Sequence, residues 1–194
     1  MKTRVGVLIS GAGSNMAALI DAGQAAGSAY EVVLVASNVA DAGGLAIAAS
    51  KGVDTLTVPH RPFGKDREAH EQAIDAALRD ADVQVIALAG YMRVLTPWLV
   101  GEWRGRMLNI HPSLLPLYPG LDTHARAIAA ADAEAGCTVH LVTEGVDEGP
   151  ILGQARVPVL DGDTPAALAE RVKTAEHTLY ARVLNDFCRD LARD

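Results

Sequence analysis

The chain has 194 residues, 49% hydrophobic and 21% charged, and carries a formal net charge of −7 at neutral pH. That length supports one well-buried core without disulfide or metal staples, and the composition excludes disordered and collagen-like chains. The acidic balance argues against a nucleic-acid surface, which needs clustered Lys and Arg, but it leaves room for an anion held locally by backbone N–H groups.

The opening Met1-Lys2-Thr3-Arg4 passes directly into an apolar run at 5–9, too short for a signal-peptide core and without its cleavage pattern. Nowhere does a run approach the roughly 20 apolar residues of a membrane helix, so a cytoplasmic protein is expected. Residues 5–9 read as a first strand, 15–26 as a helix, 31–36 as a second strand, 44–51 as a helix and 55–58 as a short third strand. An amphipathic helix over 66–79 and a buried central strand over 83–89 follow. After Gly90, Pro97, Pro112, Pro116 and Pro119 punctuate an irregular region that contains one short strand at 106–110. A helix at 123–131, strands at 137–142 and 154–159, and a long helix over 164–190 complete the pattern, with Thr164-Pro165 supplying the last helix's N-cap and first turn. The alternation predicts a single α/β domain with a Rossmann-like, mostly parallel central sheet and helices on both faces. Cys137 and Cys188 form no C-x-x-C and read as reduced core thiols.

Ser10-Gly11-Ala12-Gly13-Ser14-Asn15 joins the first strand to the first helix and brings pliable backbone and short polar side chains to a helix N-terminus, an anion site. A dinucleotide fold would want a small residue at Met16 and an acid closing the second strand, where Ser37 and Asn38 stand instead. A monophosphate fits better, and a plain glycine turn is the alternative.

Asn109 and His111 are two residues apart in an extended segment and so share a side, with Pro112 holding His111 extended. The loop Thr143-Glu144-Gly145-Val146-Asp147-Glu148-Gly149-Pro150 follows the strand at 137–142 and is expected to bring carboxylates to the same edge of the sheet, the carboxyl end of the strand that carries Asn109 and His111. A carboxylate beside an imidazole favours its protonated form, which yields a donor pair able to stabilise an oxyanion. A hydrogen-bonded core pair is the competing reading. His124, His140 and His177 share no spacing with the cysteines, so no zinc site is expected; the acidic loop lacks the EF-hand order, and no G-x-S-x-G occurs.

Together, residues 9–15, Gly90-Tyr91-Met92-Arg93-Val94-Leu95, 109–116 with Tyr118-Pro119-Gly120-Leu121, 136–147, and Arg171-Val172-Lys173-Thr174-Ala175-Glu176-His177 resemble the folate-dependent glycinamide ribonucleotide formyltransferases of purine biosynthesis, over essentially the whole chain. The resemblance implies formyl transfer from 10-formyltetrahydrofolate, as cosubstrate, to the amine of glycinamide ribonucleotide, without metal or nicotinamide. It implies catalysis by Asn109, His111 and Asp147, and ribonucleotide binding by Gly13, Ser14, Asn15, Lys173, Thr174, Ala175 and Glu176, with Glu176 accepting from the ribose. The folate side would use Arg67, Met92, Arg93, Val94, Leu95, Asn109, Thr143, Glu144, Gly145 and Val146. Within one domain spanning 1–194, residues to about 90 would serve the nucleotide, and 91–194 the folate and the chemistry. Small molecules are the expected partners, with no nucleic acid or membrane, for a monomer or homodimer. Many relatives carry histidine where Asp122 stands, so position 122 is left out of the site. Related enzymes hydrolyse the folate or formylate initiator tRNA but carry an extra domain; a non-catalytic ribonucleotide-binding module is the other alternative. The sequence does not set the isomer of the Leu115-Pro116 bond.

Overall fold

The first apolar run becomes β1, Thr3–Ile9, in which residues 5–9 are all buried because both faces of this central strand are covered. The structure, a computed structural model, describes residues 1–193. In chain order follow α1 (Ser14–Gln24), β2 (Tyr30–Ser37), α2 (Gly43–Ser50), β3 (Asp54–Thr57), α3 (Arg67–Asp80), β4 (Val85–Leu88), α4 (Pro97–Glu102), β5 (Met107–His111), α5 (Thr123–Ala129), β6 (Glu134–Leu141), β7 (Ile151–Pro158) and α6 (Pro165–Leu191), with a 3-10 turn at Arg61–Phe63. The strands form one sheet in the order β3-β2-β1-β4-β5-β6-β7. β1 to β5 are parallel, while β6 runs antiparallel to both β5 and β7. The strand order reverses between β1 and β4, the kind of switch point that opens a crevice at the carboxyl ends of strands.

Helices cover both faces, as the alternation predicts. Val5, Val7, Ile9, Leu108 and Ile110 pack on one face against Met16 and Leu19 of α1, Ala48 of α2, and Leu168, Val172 and Leu179 of α6. On the other, Leu8, Ile86, Leu88 and Met107 meet Ile74 and Leu78 of α3 and Leu99 of α4. Because side chains alternate along a strand, Asn109 and His111 project on the Met107 side. Asp66 and Thr164 cap α3 and α6 by accepting from the N–H groups of Ala69 and Ala167. Both cysteines are buried, and burial pushes each thiol up to about 12, so neither is a nucleophile at neutral pH.

Two readings of the chain are corrected. The stretch after Gly90 contains α4, whose N-cap residue is held by another helix: the buried Glu71 of α3 accepts from both the N–H of Thr96, at 2.9 Å, and its hydroxyl. β6 and β7 begin at 134 and 151, three residues before the expected starts in each case, because the two strands extend each other's ladder. The Leu115-Pro116 bond is cis. Among the described residues no helix is long and apolar enough to cross a membrane.

Candidate active site

Beyond β5 the Met107 side of the sheet is roofed by loops, and four polar side chains meet there. Asn109 on β5 lies opposite His140 on β6 in the antiparallel register, and Asn109 Nδ2 is 3.3 Å from His140 Nε2. His140 Nδ1 donates to the Leu141 carbonyl at 2.9 Å, which leaves Nε2 between Asn109 and Asp147 Oδ1, the latter at 3.6 Å. His111 Nδ1 is 3.3 Å from Asp147 Oδ2, and its Nε2–H donates to the Tyr118 carbonyl at 2.9 Å. Both imidazoles are buried and the Asp147 side chain is 9% exposed, so one carboxylate bridges two histidines with little water between them.

Asp147 does not arrive from a strand's carboxyl edge. β6 runs the other way, and the Val142 N–H donates to the Met107 carbonyl at 2.8 Å before the loop turns back over the sheet. Gly149 permits the return, since a Cβ there would fall 1.7 Å from the Leu141 carbonyl oxygen. Burial pushes the Asp147 carboxyl up, but the His140 contact, the Gly120 N–H at 2.9 Å and the charge of both rings outweigh it and hold the group below the ordinary carboxylate value. A groove of about 330 Å³ runs past Asp147 between Pro116, Pro119 and Ile151.

The anion loop lies two strands away, on the far side of β4, a separation of about 10 Å at ordinary strand spacing. Gly13 at φ 74 precedes α1, whose first turn carries neither a side-chain cap nor an acid, so its leading N–H groups face outward unpaired. α2 presses on the loop: the Gly44 N–H donates to the Gly11 carbonyl at 3.1 Å, and a Cβ on Gly13 would sit 2.8 Å from Gly44 Cα. The Asn15 side chain turns toward α6, where Nδ2 donates to Glu176 Oε2 at 2.8 Å. Glu176 is buried, and burial raises its carboxyl above the ordinary value against the pull of Asn15 and Lys173.

Between loop and cluster, residues 90–96 run without regular structure, and side chains hold them at three points. The Met92 N–H donates to Ser10 Oγ at 2.8 Å, Arg67 Nη1 donates to the Val94 carbonyl at 3.3 Å, and Thr96 hangs on Glu71. Met92 and Val94 are 69% and 58% exposed, an apolar surface beside Arg67 and Arg93.

The sequence matches the formyl transferase family over residues 3–184. The chain belongs to that family. A formyl transferase with the name phosphoribosylglycinamide formyltransferase, from Escherichia coli K12, is 45% identical over 181 residues, covering 93% of this chain and 85% of that protein. A trifunctional purine biosynthetic protein of Drosophila pseudoobscura is 48% identical over 185 residues, but the chain spans 14% of that relative's length. Among solved structures, phosphoribosylglycinamide formyltransferase from Brucella melitensis superposes with a TM-score of 0.93 at 55% identity, covering 97% of this chain and 96% of that one.

The formyl transferase fold thus gathers Asn109, His111 and Asp147 into one cluster, and sets Gly13, Ser14 and Asn15 at the start of α1. Glu176 meets that loop through Asn15. Its neighbours on α6 face elsewhere: Lys173 Nζ pairs with Glu170 at 2.5 Å, the Thr174 hydroxyl donates to the Glu170 carbonyl, and Ala175 packs on the core. Arg93 and Leu95 are half-buried behind Met92 and Val94, and Thr143, Glu144 and Val146 are exposed on the loop that ends at Asp147, with Gly145 half-buried among them. Asp122 is exposed at φ 58 and makes no side-chain cap to α5. Sequence reasoning missed His140, and read Ser10 as part of the anion loop without its bond to Met92. Same-side alternation with Thr138 was available for His140, but its register against Asn109 was not.

Proposed function

We propose that this formyl transferase moves the formyl group of 10-formyltetrahydrofolate to the amine of glycinamide ribonucleotide, giving formylglycinamide ribonucleotide and tetrahydrofolate in purine biosynthesis. The observation that carries the reading is the cluster of Asn109, His111, His140 and Asp147, separated from an anion loop by an exposed apolar segment with two arginines beside it. An amphipathic folate suits that segment: Met92, Val94 and Val146 offer apolar surface to a flat ring, and Arg67 and Arg93 offer charge to carboxylates. The folate supplies an activated formyl carbon.

The chain does the rest. The leading N–H groups of α1 hold the phosphate, Ser14 lies beside them, and Glu176 accepts from the ribose. When the neutral amine attacks the formyl carbon, a C–N bond forms and the carbonyl oxygen gains charge. Asn109 Nδ2 donates to that oxygen, and His111 Nε2–H shifts its donation from the Tyr118 carbonyl to the stronger, charged acceptor. Asp147 stabilises positive charge on the His111 ring and assists removal of the amine's proton; as the carbonyl re-forms, the bond between the formyl carbon and the folate nitrogen breaks, and that nitrogen leaves with the proton the amine has lost. This scheme calls on no metal, because hydrogen-bond donors handle the charge. Residues to about 90 serve mainly the ribonucleotide and those beyond it the folate and the chemistry, with Glu176 and Arg67 crossing that division. Monomer or homodimer, the protein is taken to work in the cytoplasm on small molecules alone.

The test is to incubate the purified protein with 10-formyltetrahydrofolate and follow deformylation. Turnover that needs glycinamide ribonucleotide is expected; equal rates without it indicate a hydrolase, and none with it refutes the proposal.

A further inference from the structure

β1 ends at Ile9, and Ser10 begins the anion loop. The Ser10 N–H donates to the Gly90 carbonyl at 3.1 Å, which joins the exits of β1 and β4 at the switch point. Its hydroxyl makes two bonds: Oγ accepts the Met92 N–H at 2.8 Å and donates to Asn38 Oδ1 at 2.6 Å. Asn38 is 4% exposed, and His60 Nδ1 lies 3.2 Å from its Nδ2 and 3.1 Å from its backbone carbonyl, so the ring holds Asn38 in either tautomer. A serine hydroxyl rotates to suit its partners. Here the buried Asn38 carbonyl takes the hydrogen, so a lone pair faces Met92. Met92 has no strand ladder to receive its amide, so its backbone position depends on this side chain.

We infer that Ser10, oriented by Asn38, is a positioning residue that ties the folate-facing segment at Met92 to the loop that holds the ribonucleotide's phosphate. The naming of the two substrates rests on the proposed function; the tie rests on geometry alone. Transfer requires the amine and the formyl carbon within about 3–3.5 Å of each other, and a misplacement near 1 Å can cost 10²-fold. A hydrogen bond from the loop that seats one substrate to the segment that seats the other sets that spacing directly. Arg67 and Glu71 hold the same segment from α3, a different element, and cannot set its distance from the anion loop.

Ser10→Ala removes the acceptor. Amide exchange followed by NMR should accelerate at Met92 at least tenfold and stay unchanged at Thr96, which Glu71 holds. The KM for the formyl donor should rise about five- to tenfold and that for the ribonucleotide stay within twofold, with Ser10→Thr restoring most of the loss. Asn38→Ala should reproduce part of the effect and add nothing to it in the Ser10→Ala background. Unchanged exchange at Met92, equal rises in both KM values, or full additivity of the two substitutions would each overturn the inference. A wild-type protein without formyl transfer would overturn the functional reading instead, and the exchange measurement on the same proteins would still decide the tie.

Discussion

Asp147→Asn keeps the size and shape of a side chain that touches two histidines and a backbone amide, but removes its charge and turns one acceptor oxygen into an NH2 donor. The carboxylate stands 3.3 Å from His111 Nδ1 and 3.6 Å from His140 Nε2, with its side chain 9% exposed. At an effective dielectric near 20, a unit pair at that separation attracts by about 4–5 kcal/mol. Part of this is present before the reaction begins, so the portion lost in the transition state should be about 3–4 kcal/mol, a fall in kcat of roughly 10²- to 10³-fold. The ground-state contacts of both substrates lie elsewhere, so their dissociation constants should move less than about threefold. The proton linkage follows from the same geometry. A carboxyl held below its ordinary value contributes stability that is present above that value and lost as pH falls through the folded one, so Asp147 remains charged across the neutral range. Steady-state kinetics from pH 6 to 9, with calorimetry of each ligand, measures both quantities. A mutant with near wild-type kcat across that range would make Asp147 a structural carboxylate and the mechanism wrong.

Arg93→Ala should weaken binding of a folate analogue about 10- to 100-fold by calorimetry, the cost of a charge-assisted hydrogen bond, and leave ribonucleotide affinity within twofold; the reverse pattern would remove Arg93 from the folate side. Gly13→Ala forces a Cβ onto φ 74 and within 2.8 Å of Gly44 Cα, which should cost at least about 2 kcal/mol and lower Tm by about 4–8 °C; an unchanged melting curve would show that loop and α2 can part freely. Glu176→Gln should raise Tm at pH 7 while raising the ribonucleotide KM about tenfold. A carboxyl whose folded value is raised costs stability when ionised, so the mutant's advantage should shrink as pH falls toward the ordinary glutamate value; an advantage that grows on acidification would contradict the burial argument.

The central parallel strands were readable in the sequence because strands covered on both faces are continuous apolar runs, and the cap at Thr164 because capping is local. α4 was not, since its six residues carry no cap of their own and borrow Glu71 from twenty-five positions upstream. Asn109 and His111 could be paired by spacing alone. His140 could not, because it joins them through an antiparallel register that periodicity does not encode. Ser10 read as one more polar residue of an anion loop; its tie to Met92 spans 82 positions and depends on strand order. The direction from which Asp147 approaches was hidden for the same reason.

The anion loop is secured backbone against backbone, Gly13 on Gly44 and the Gly44 N–H on the Gly11 carbonyl, whereas residues 92–96 hang from the side chains of Ser10, Arg67 and Glu71. The two halves of the site therefore differ in how they can evolve. Each hold on 92–96 is a single side chain that one codon change can lengthen or shorten, so the surface facing the formyl carrier can be recut in small steps. Gly13 offers no such step, because any side chain there collides with the main chain of α2. In a saturation library across both segments, variants with altered carrier preference should accumulate at 92–95, while position 13 returns near wild type.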